Sequence, residues 1–198
     1  MRGWTHAVLG QAVVCLLSFV GLAAAIEVTP TQTDIHVALD RGKQAALQHR
    51  APETFYARFG GTGFAQAEGF LLTKLGSLSV MATHMALRGL EPSVADVAHV
   101  IEAPAMLVSA TIVGESPGFA ANSYMILEQA ERVIKPITVR ADGQAHRRTT
   151  GPESPKYQAT IVATFRYADF DPKAKTMITI FPATGGEVHV PLSFADIE

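Results

Sequence analysis

The sequence predicts a mainly β protein: an antiparallel immunoglobulin-like β-sandwich of about eight strands with an N-terminal helical segment. Short runs of alternating apolar and polar residues recur along the chain, and 16 glycines and 11 prolines supply the turns between them. The chain is 48% hydrophobic and only 17% charged, which excludes a disordered tail. A barrel is the alternative arrangement of the same strands. We predict a signal peptide at residues 1–25, the helical segment at residues 26–63 and the β-sandwich domain at residues 64–198.

The N-terminal segment carries the pattern of an export signal. Arg2 precedes an apolar stretch at residues 7–22, and three alanines follow at residues 23–25. This order is typical of a secretory signal peptide cleaved after Ala25, so we predict a periplasmic or extracellular protein. A retained membrane anchor is the alternative, because the apolar stretch is nearly long enough to span a bilayer.

Cysteine content and charge exclude several classes of site. Cys15 is the one cysteine, and it lies within the predicted signal peptide. Cleavage would therefore remove disulfides, thiolate nucleophiles and Cys-ligated metal sites from the mature protein. The 16 basic and 18 acidic residues exclude a nucleic-acid binder held by bulk charge. No stretch after the signal peptide is long and apolar enough to be a second membrane span.

The segment after the signal peptide is expected to be helical. Small and apolar residues recur every three or four positions over residues 35–46, and Asp34 can cap this helix. Pro52 suits the first turn of a second short helix that carries Phe59 and ends at glycines. Because the pair is amphipathic, we expect a lid over one end of a sheet; a docking helix for a partner is the alternative.

In the middle of the chain, some segments predict one type of secondary structure and others fit more than one. Residues 68–90 fit either two strands or a helix, and three glycines favour strands. Ser93 can cap a short helix that runs to Glu102. Residues 105–113 alternate in polarity and are rich in β-branched side chains, which predicts a strand.

A hairpin and a polar loop are predicted next. Residues 123–128 and 133–140 form the expected strands of the hairpin, joined at residues 129–132. Pro136 marks an edge strand or a bulge, because proline cannot donate to the ladder. Residues 143–155 are polar and predict an exposed loop.

The C-terminal part predicts three consecutive antiparallel strands. Residues 157–167, 176–182 and 187–193 alternate between apolar and polar side chains. Pro172 suits a turn after the first of them, and two glycines within residues 183–186 suit a hairpin loop between the other two. We predict that these strands form a meander.

No sequence motif indicates catalysis. The chain lacks G-x-S-x-G and S-x-x-K motifs and paired histidines at metal-ligand spacing, so we predict no enzyme activity and no cofactor. We expect a binding or scaffolding module of the cell envelope or secreted space, whose partner is another exported protein. The candidate aromatic anchors are Phe119, Tyr167 and Phe170, and an exposed strand edge near Pro136 is a second candidate surface.

A periplasmic copper-binding protein is the alternative function. Met81, His84 and Met85 would share one face if this segment were helical, and two thioethers with one imidazole suit Cu(I). If the segment were a strand, His84 would point away from the two methionines. Methionines within an apolar run are more often part of a core.

Hydrogen exchange on the mature protein tests the predicted distribution of stability. The slowest amides should lie in residues 157–193 and 105–113, where alternation is clearest. Residues 31–59 should open at lower free energy, because they carry fewer large apolar side chains. Slowest exchange in residues 31–59 instead would show that the helical segment belongs to the core.

Overall fold

The computed structural model describes residues 26–61, 63, 66–149 and 155–197, so the predicted signal peptide lies outside the described residues. Within these ranges the chain forms ten β-strands and three α-helices. The helices are α1 (Gln32–Leu47), α2 (Lys74–Ala86) and α3 (Val94–Ile101). The strands are β1 (Ala57–Gly60), β2 (Glu68–Leu72), β3 (Ala105–Gly114), β4 (Tyr124–Gln129), β5 (Arg132–Ile134), β6 (Thr138–Ala141), β7 (His146–Arg147), β8 (Tyr157–Arg166), β9 (Lys175–Phe181) and β10 (Val188–Ser193).

The strands form two antiparallel sheets. The six-stranded sheet has the order β1-β2-β3-β8-β6, and β7 also pairs with β8. The four-stranded sheet has the order β10-β9-β4-β5. A mainly β protein with antiparallel sheets and some helices is therefore confirmed.

Both sheets contribute to a single main core. Alternate residues of β3 and β8 point into it, and these two strands pair along ten residues. Val108 and Ile161 from the six-stranded sheet and Leu127 and Ile178 from the four-stranded sheet are all fully buried. Burial of such side chains contributes about 1.5–3 kcal/mol each, so this core is the main source of stability.

The C-terminal strands exist as predicted, but they do not form a meander. Strand β8 pairs with β3, β6 and β7, whereas β9 pairs with β4 and β10. The chain thus crosses from one sheet to the other between β8 and β9, through a short 3-10 helix at Tyr167–Asp169. The β9–β10 hairpin is confirmed, and Gly185 and Gly186 adopt positive φ angles in its loop.

The side chain of Gln129 holds this crossing. Its Nε2 donates to the Asp171 carbonyl and to the Thr176 hydroxyl, each at 2.9 Å. Its Oε1 accepts from the Asp171 backbone N–H at 2.8 Å. Gln129 is only 4% exposed, so the last residue of β4 fixes the turn that leads into β9.

Pro136 also lies at a crossing between the sheets. The predicted strand at residues 133–140 is divided into β5, in the four-stranded sheet, and β6, in the six-stranded sheet. Backbone pairing resumes at Ile137, whose N–H donates to the Thr164 carbonyl at 2.8 Å. The single long strand was therefore wrong, because proline interrupts the ladder where the chain changes sheets.

The predicted polar loop at residues 143–155 is described only in part, since residues 150–154 lie outside the described ranges. Its first half contains strand β7. Ala145 is buried, and its N–H donates to the Pro117 carbonyl at 2.7 Å. This half of the loop is thus tied to the fold through its backbone.

Helix α1 begins about one turn before the start that an N-cap at Asp34 would give. Thr31 is the N-cap, and Asp34 completes a capping box with it by accepting from the Thr31 backbone N–H at 2.8 Å. The second predicted helix is reduced to one 3-10 turn at Pro52–Phe55. Phe59 lies in strand β1 instead, opposite Gly69, whose missing side chain leaves room for the Phe59 ring.

Residues 68–72 form strand β2 and residues 74–86 form helix α2, so the second part of this segment adopts the helical alternative and not the favoured strand at residues 78–87. Thr73 caps α2 by accepting from the Gly76 backbone N–H at 3.0 Å. Of the three glycines that favoured strands, Gly69 lies in strand β2, Gly76 lies in the first turn of α2 and Gly89 follows α2 with a positive φ angle. A different glycine, Gly42, allows α1 and α2 to approach closely. A Cβ atom on Gly42 of α1 would lie 2.3 Å from the Ser79 carbonyl oxygen.

Hydroxyl groups join α1 and α2 at this close contact. The Ser79 hydroxyl donates to the Ala38 carbonyl at 2.8 Å, and both residues are buried. The Thr83 hydroxyl lies 3.1 Å from the Gly42 carbonyl oxygen and 2.7 Å from that of Ser79. These bonds satisfy buried hydroxyls that would otherwise destabilise the helix pair.

The helices form a small second core. Ile35, Ala38 and Leu78 are its buried members, and side chains of α3 pack against them. Helix α1 therefore packs mainly on α2, not directly on a sheet as a lid. Ser93 caps α3 as predicted, in a capping box with Asp96. Among the described residues, no helix combines the length and the apolar character that a bilayer crossing requires.

Replacing Gly42 with alanine should destabilise the helix pair. The added methyl meets backbone of α2, which cannot rotate away, so we expect a loss of about 1–3 kcal/mol despite the higher helix propensity of alanine. Urea unfolding followed by far-ultraviolet circular dichroism measures the change. Gly118→Ala is the control, because a Cβ there meets nothing within 4 Å. Equal stability of the two variants would contradict the close packing.

Candidate functional site

The candidate site is an open groove of about 910 Å³ on the outer face of the four-stranded sheet. Because side chains alternate along a strand, the residues that lie between the core residues of β9 and β10 point to this face. The groove is lined by Glu128, Ala130, Lys175, Thr176, Met177, His189, Pro191, Leu192 and Ser193.

Four side chains at the groove form a continuous polar chain. The Thr179 hydroxyl donates to Glu128 Oε2, and its oxygen lies 3.1 Å from His189 Nδ1. His189 Nε2 lies 3.1 Å from Glu187 Oε2. The strand register explains the order, since Thr179 is directly opposite His189 on β10 and Ile126 on β4, and Glu128 lies two residues beyond Ile126 on the same face.

Counting donors and acceptors shows which protons His189 must carry for all three hydrogen bonds among these side chains to form. An ionised carboxylate only accepts, so the Thr179 proton is used on Glu128 and the Thr179 oxygen must accept from His189. The His189 Nε2 must then carry a proton to bond Glu187. The three contacts therefore exist together only when the imidazole carries both protons.

This arrangement is unsuited to nucleophilic catalysis. A catalytic hydroxyl must reach its substrate and give its proton to a base. Thr179 is only 2% exposed, and its proton points to Glu128. His189 is half-exposed and could contact a ligand, so the polar chain is better suited to binding than to bond cleavage.

Apolar side chains flank the polar chain on the same face. Ile126, Met177 and Phe181 are buried or half-buried there, and Tyr124 is 39% exposed. Glu128 has a second carboxylate oxygen, Oε1, with no hydrogen bond to any described residue. The face thus combines an apolar surface with one available carboxylate acceptor, a combination common in protein interfaces.

The predicted aromatic anchors lie in the main core. Phe119 is 3% exposed and covers Gly114, where an added Cβ would come within 2.4 Å of its ring. The Tyr167 and Phe170 rings are 5.8 Å apart, and Phe170 packs edge-on against Phe194 at 5.3 Å. None of the three predicted anchors presents its ring at the surface in this structure, and their part in binding stays a prediction.

Tyr167 joins this aromatic cluster to helix α2. Burial raises the pKa of Tyr167 to about 12, although the phenol oxygen also accepts from the Lys74 backbone N–H, which lowers the pKa. The Lys74 ammonium lies 5.1 Å from the centre of the Tyr167 ring and donates to the Ile101 carbonyl at 2.5 Å. Partial burial lowers the pKa of Lys74.

The alternative copper ligands all lie on α2. The helix gives Met81, His84 and Met85 the spacing that shares one side, as that hypothesis requires. Met81, however, packs against the helical core, whereas His84 is exposed. In the described part of the chain, no group of three or more His, Cys, Asp or Glu side chains is arranged to hold a metal ion. Copper binding by this trio stays a prediction.

Sequence reasoning missed the groove because its polar residues come from three strands. Glu187, just before the last strand, and His189 within it alternate with valines, and this was the available signal. Nothing in the sequence indicates that Thr179 and Glu128 lie beside them, because the pairing of β4 with β9 is a long-range contact.

Comparisons with known proteins give limited similarity. No family model and no curated protein matches the chain. Two solved structures resemble part of it, each with 12% sequence identity and a TM-score of 0.30. One is the archaellum periplasmic stator protein FlaG from Sulfolobus acidocaldarius, where the likeness covers 46% of this chain and 88% of that chain. The other is the stator protein complex of FlaF and FlaG from the same organism, with 45% and 77% covered.

The ionisation of Tyr167 can be measured directly. The difference in tyrosinate absorbance between the native chain and Tyr167→Phe should contain a step near pH 12. Because a tyrosine in the unfolded chain ionises at about pH 10, the native chain should lose stability relative to the variant as the pH rises from about 10 to about 12. A step near 10 would mean that water reaches the phenol.

Proposed function

We propose that this protein is an exported, non-catalytic module that binds another envelope or secreted protein through the outer face of its four-stranded sheet. The observation that carries the proposal is the groove itself, where an apolar surface surrounds a polar chain whose Thr179 hydroxyl is buried. The proposal includes an immunoglobulin-like arrangement of the two sheets, which their shared core supports. It also includes a boundary at residue 63 between the helical segment and the β-sandwich domain.

The groove favours a partner of a particular chemistry. Met177 and Pro191 provide apolar contact area, and the Oε1 atom of Glu128 accepts a hydrogen bond. We infer that the partner presents a polypeptide segment with an apolar side chain next to an arginine or lysine. A charge-assisted bond to Glu128 would fix the register of that segment, while the apolar side chain displaces water from the groove.

Export is proposed on the sequence of the first 25 residues. An apolar stretch after Arg2 and before three alanines is the pattern of a secretory signal. The mature chain would then contain no cysteine, so it would not depend on the redox state of its compartment.

Photocrosslinking in intact cells tests the binding face. A photoreactive amino acid at Met177 should give one discrete adduct with a different protein. The same amino acid at Leu47, which is 73% exposed on α1, should not give that adduct. The proposal is overturned if position 177 gives no adduct, the same products as position 47, or only a dimer of this chain.

A matched pair of charge variants tests the role of Glu128. Glu128→Gln keeps an oxygen that can accept from Thr179 but removes the charge, so it should lower the adduct yield about tenfold, as loss of a strong interface contact does. Glu53→Gln removes an exposed carboxylate on the 3-10 turn and should leave the yield unchanged. Equal yields from the two variants would remove Glu128 from the binding site.

A further inference from the structure

The chain enters the fold directly after the apolar N-terminal segment. Ile26 is 2% exposed and belongs to the main core, and its N–H donates to the Pro172 carbonyl at 3.3 Å. Residues 7–25 contain no charged side chain and end at the residue before Ile26. No spacer therefore separates this segment from the folded domain at Pro172.

Basic side chains collect at the same end of the molecule. A cavity of about 590 Å³ lies between the β5–β6 connection and the turn after β8. Arg132, Lys135 and Arg166 line it, together with one carboxylate, Asp169. Arg132 Nη2 donates to the Asp169 backbone carbonyl at 2.8 Å, which orients the guanidinium over this turn.

A series of hydrogen bonds shows that this cavity and Ile26 lie at the same end of the molecule. Arg132 pairs with Gln129 across the β4–β5 turn, and Gln129 holds both backbone groups of Asp171. Asp171 is adjacent to Pro172, which accepts the bond from Ile26. The exposed Lys173 continues the positive charge beyond Pro172, next to the exposed carboxylates of Asp171 and Glu131, whereas Lys175 lines the groove.

Two apolar side chains project beside the cations. Val133 is 56% exposed and Ile137 is 44% exposed, and both line the basic cavity. A surface that combines arginine and lysine with exposed aliphatic groups is complementary to a phospholipid interface, where phosphates lie next to acyl chains.

We propose that this basic end of the molecule rests on an anionic membrane surface. The guanidinium groups of Arg132 and Arg166 and the ammonium group of Lys135 contact lipid phosphates, and Val133 and Ile137 enter the interface. If residues 7–25 enter the bilayer during export, this end meets the lipid first, and after cleavage the cations alone hold it there. The groove around Met177 remains available for a protein partner, so this proposal does not depend on the proposed function.

Spin labelling of the full chain in vesicles tests the proposal. Cys15→Ser removes the one cysteine of the chain, and a nitroxide is attached at Ile137→Cys or, as a control, at Leu47→Cys. The chain is reconstituted into vesicles of phosphatidylcholine alone or of phosphatidylcholine with phosphatidylglycerol. With phosphatidylglycerol, the label at position 137 should lose several-fold in collisions with a water-soluble nickel complex and gain collisions with oxygen. The label at position 47 should not change.

Charge variants separate lipid recognition from simple proximity. Lys135→Gln with Arg166→Gln should abolish the effect of phosphatidylglycerol at position 137, because each cation near such a surface strengthens binding roughly fivefold. Arg50→Gln with Arg88→Gln removes the same charge from exposed positions elsewhere and should retain the effect. Circular dichroism confirms that each variant is folded.

Three results would overturn the proposal. The label at position 137 could collide freely with the nickel complex in both kinds of vesicle. It could be shielded from the complex to the same extent in vesicles of phosphatidylcholine alone. The two double variants could show the same effect of phosphatidylglycerol. Each would show that the basic end does not recognise anionic headgroups. The crosslinking at Met177 is unaffected by these results, so failure here is distinguishable from failure of the protein-binding face.

Discussion

The buried amide of Gln129 is the constraint on which the arrangement of the two sheets depends. It lies at the end of β4 and makes three hydrogen bonds to the turn that carries the chain from β8 to β9. An amide at 4% exposure loses its bonds to water, so these three bonds must form together for the turn to be stable. The groove lies on one side of this turn and the basic end on the other, which makes both surfaces products of the same crossing.

Stability is divided between two cores of different kinds. The main core relies on large aliphatic and aromatic side chains between the sheets, and it needs no cross-link. The helical core instead relies on small residues, because Gly42 and Ser79 allow two helix backbones to approach closely enough for hydroxyl–carbonyl bonds. Contacts of this kind depend on short distances more than on buried area, so they tolerate added volume poorly.

The predictable parts of the fold are those determined by neighbouring residues. The cap at Ser93, the strand at residues 105–113 and the glycine hairpin after β9 follow from local chemistry, and the structure contains all three. The meander and the strand at residues 78–87 failed for a different reason. Strand alternation does not specify a partner, and of the three glycines that favoured strands Gly69 lies in β2, whereas Gly76 lies in the first turn of α2 and Gly89 follows that helix.

The candidate site was even harder to predict from local sequence patterns than the fold. Phe119 and Phe170 follow turn residues and therefore resemble surface anchors, but the turns fold back and bury both rings. Thr179 and Glu128 are unremarkable in sequence, and they meet only because β9 lies between β4 and β10. Strand order is fixed by long-range packing, so a site built across three strands cannot be located from local patterns.

If the proposed cleavage after Ala25 takes place, the burial of Ile26 also sets the order of cleavage and folding. A protease that cleaves between residues 25 and 26 needs an extended, accessible chain on both sides of the bond. In the folded domain Ile26 is enclosed and its nitrogen is directed at the Pro172 carbonyl. Removal of the leader would therefore have to come before the core closes, while the chain is still emerging. The ammonium group created by that cut would then donate to the same carbonyl, so processing would add a charge to an existing hydrogen bond without rebuilding the fold.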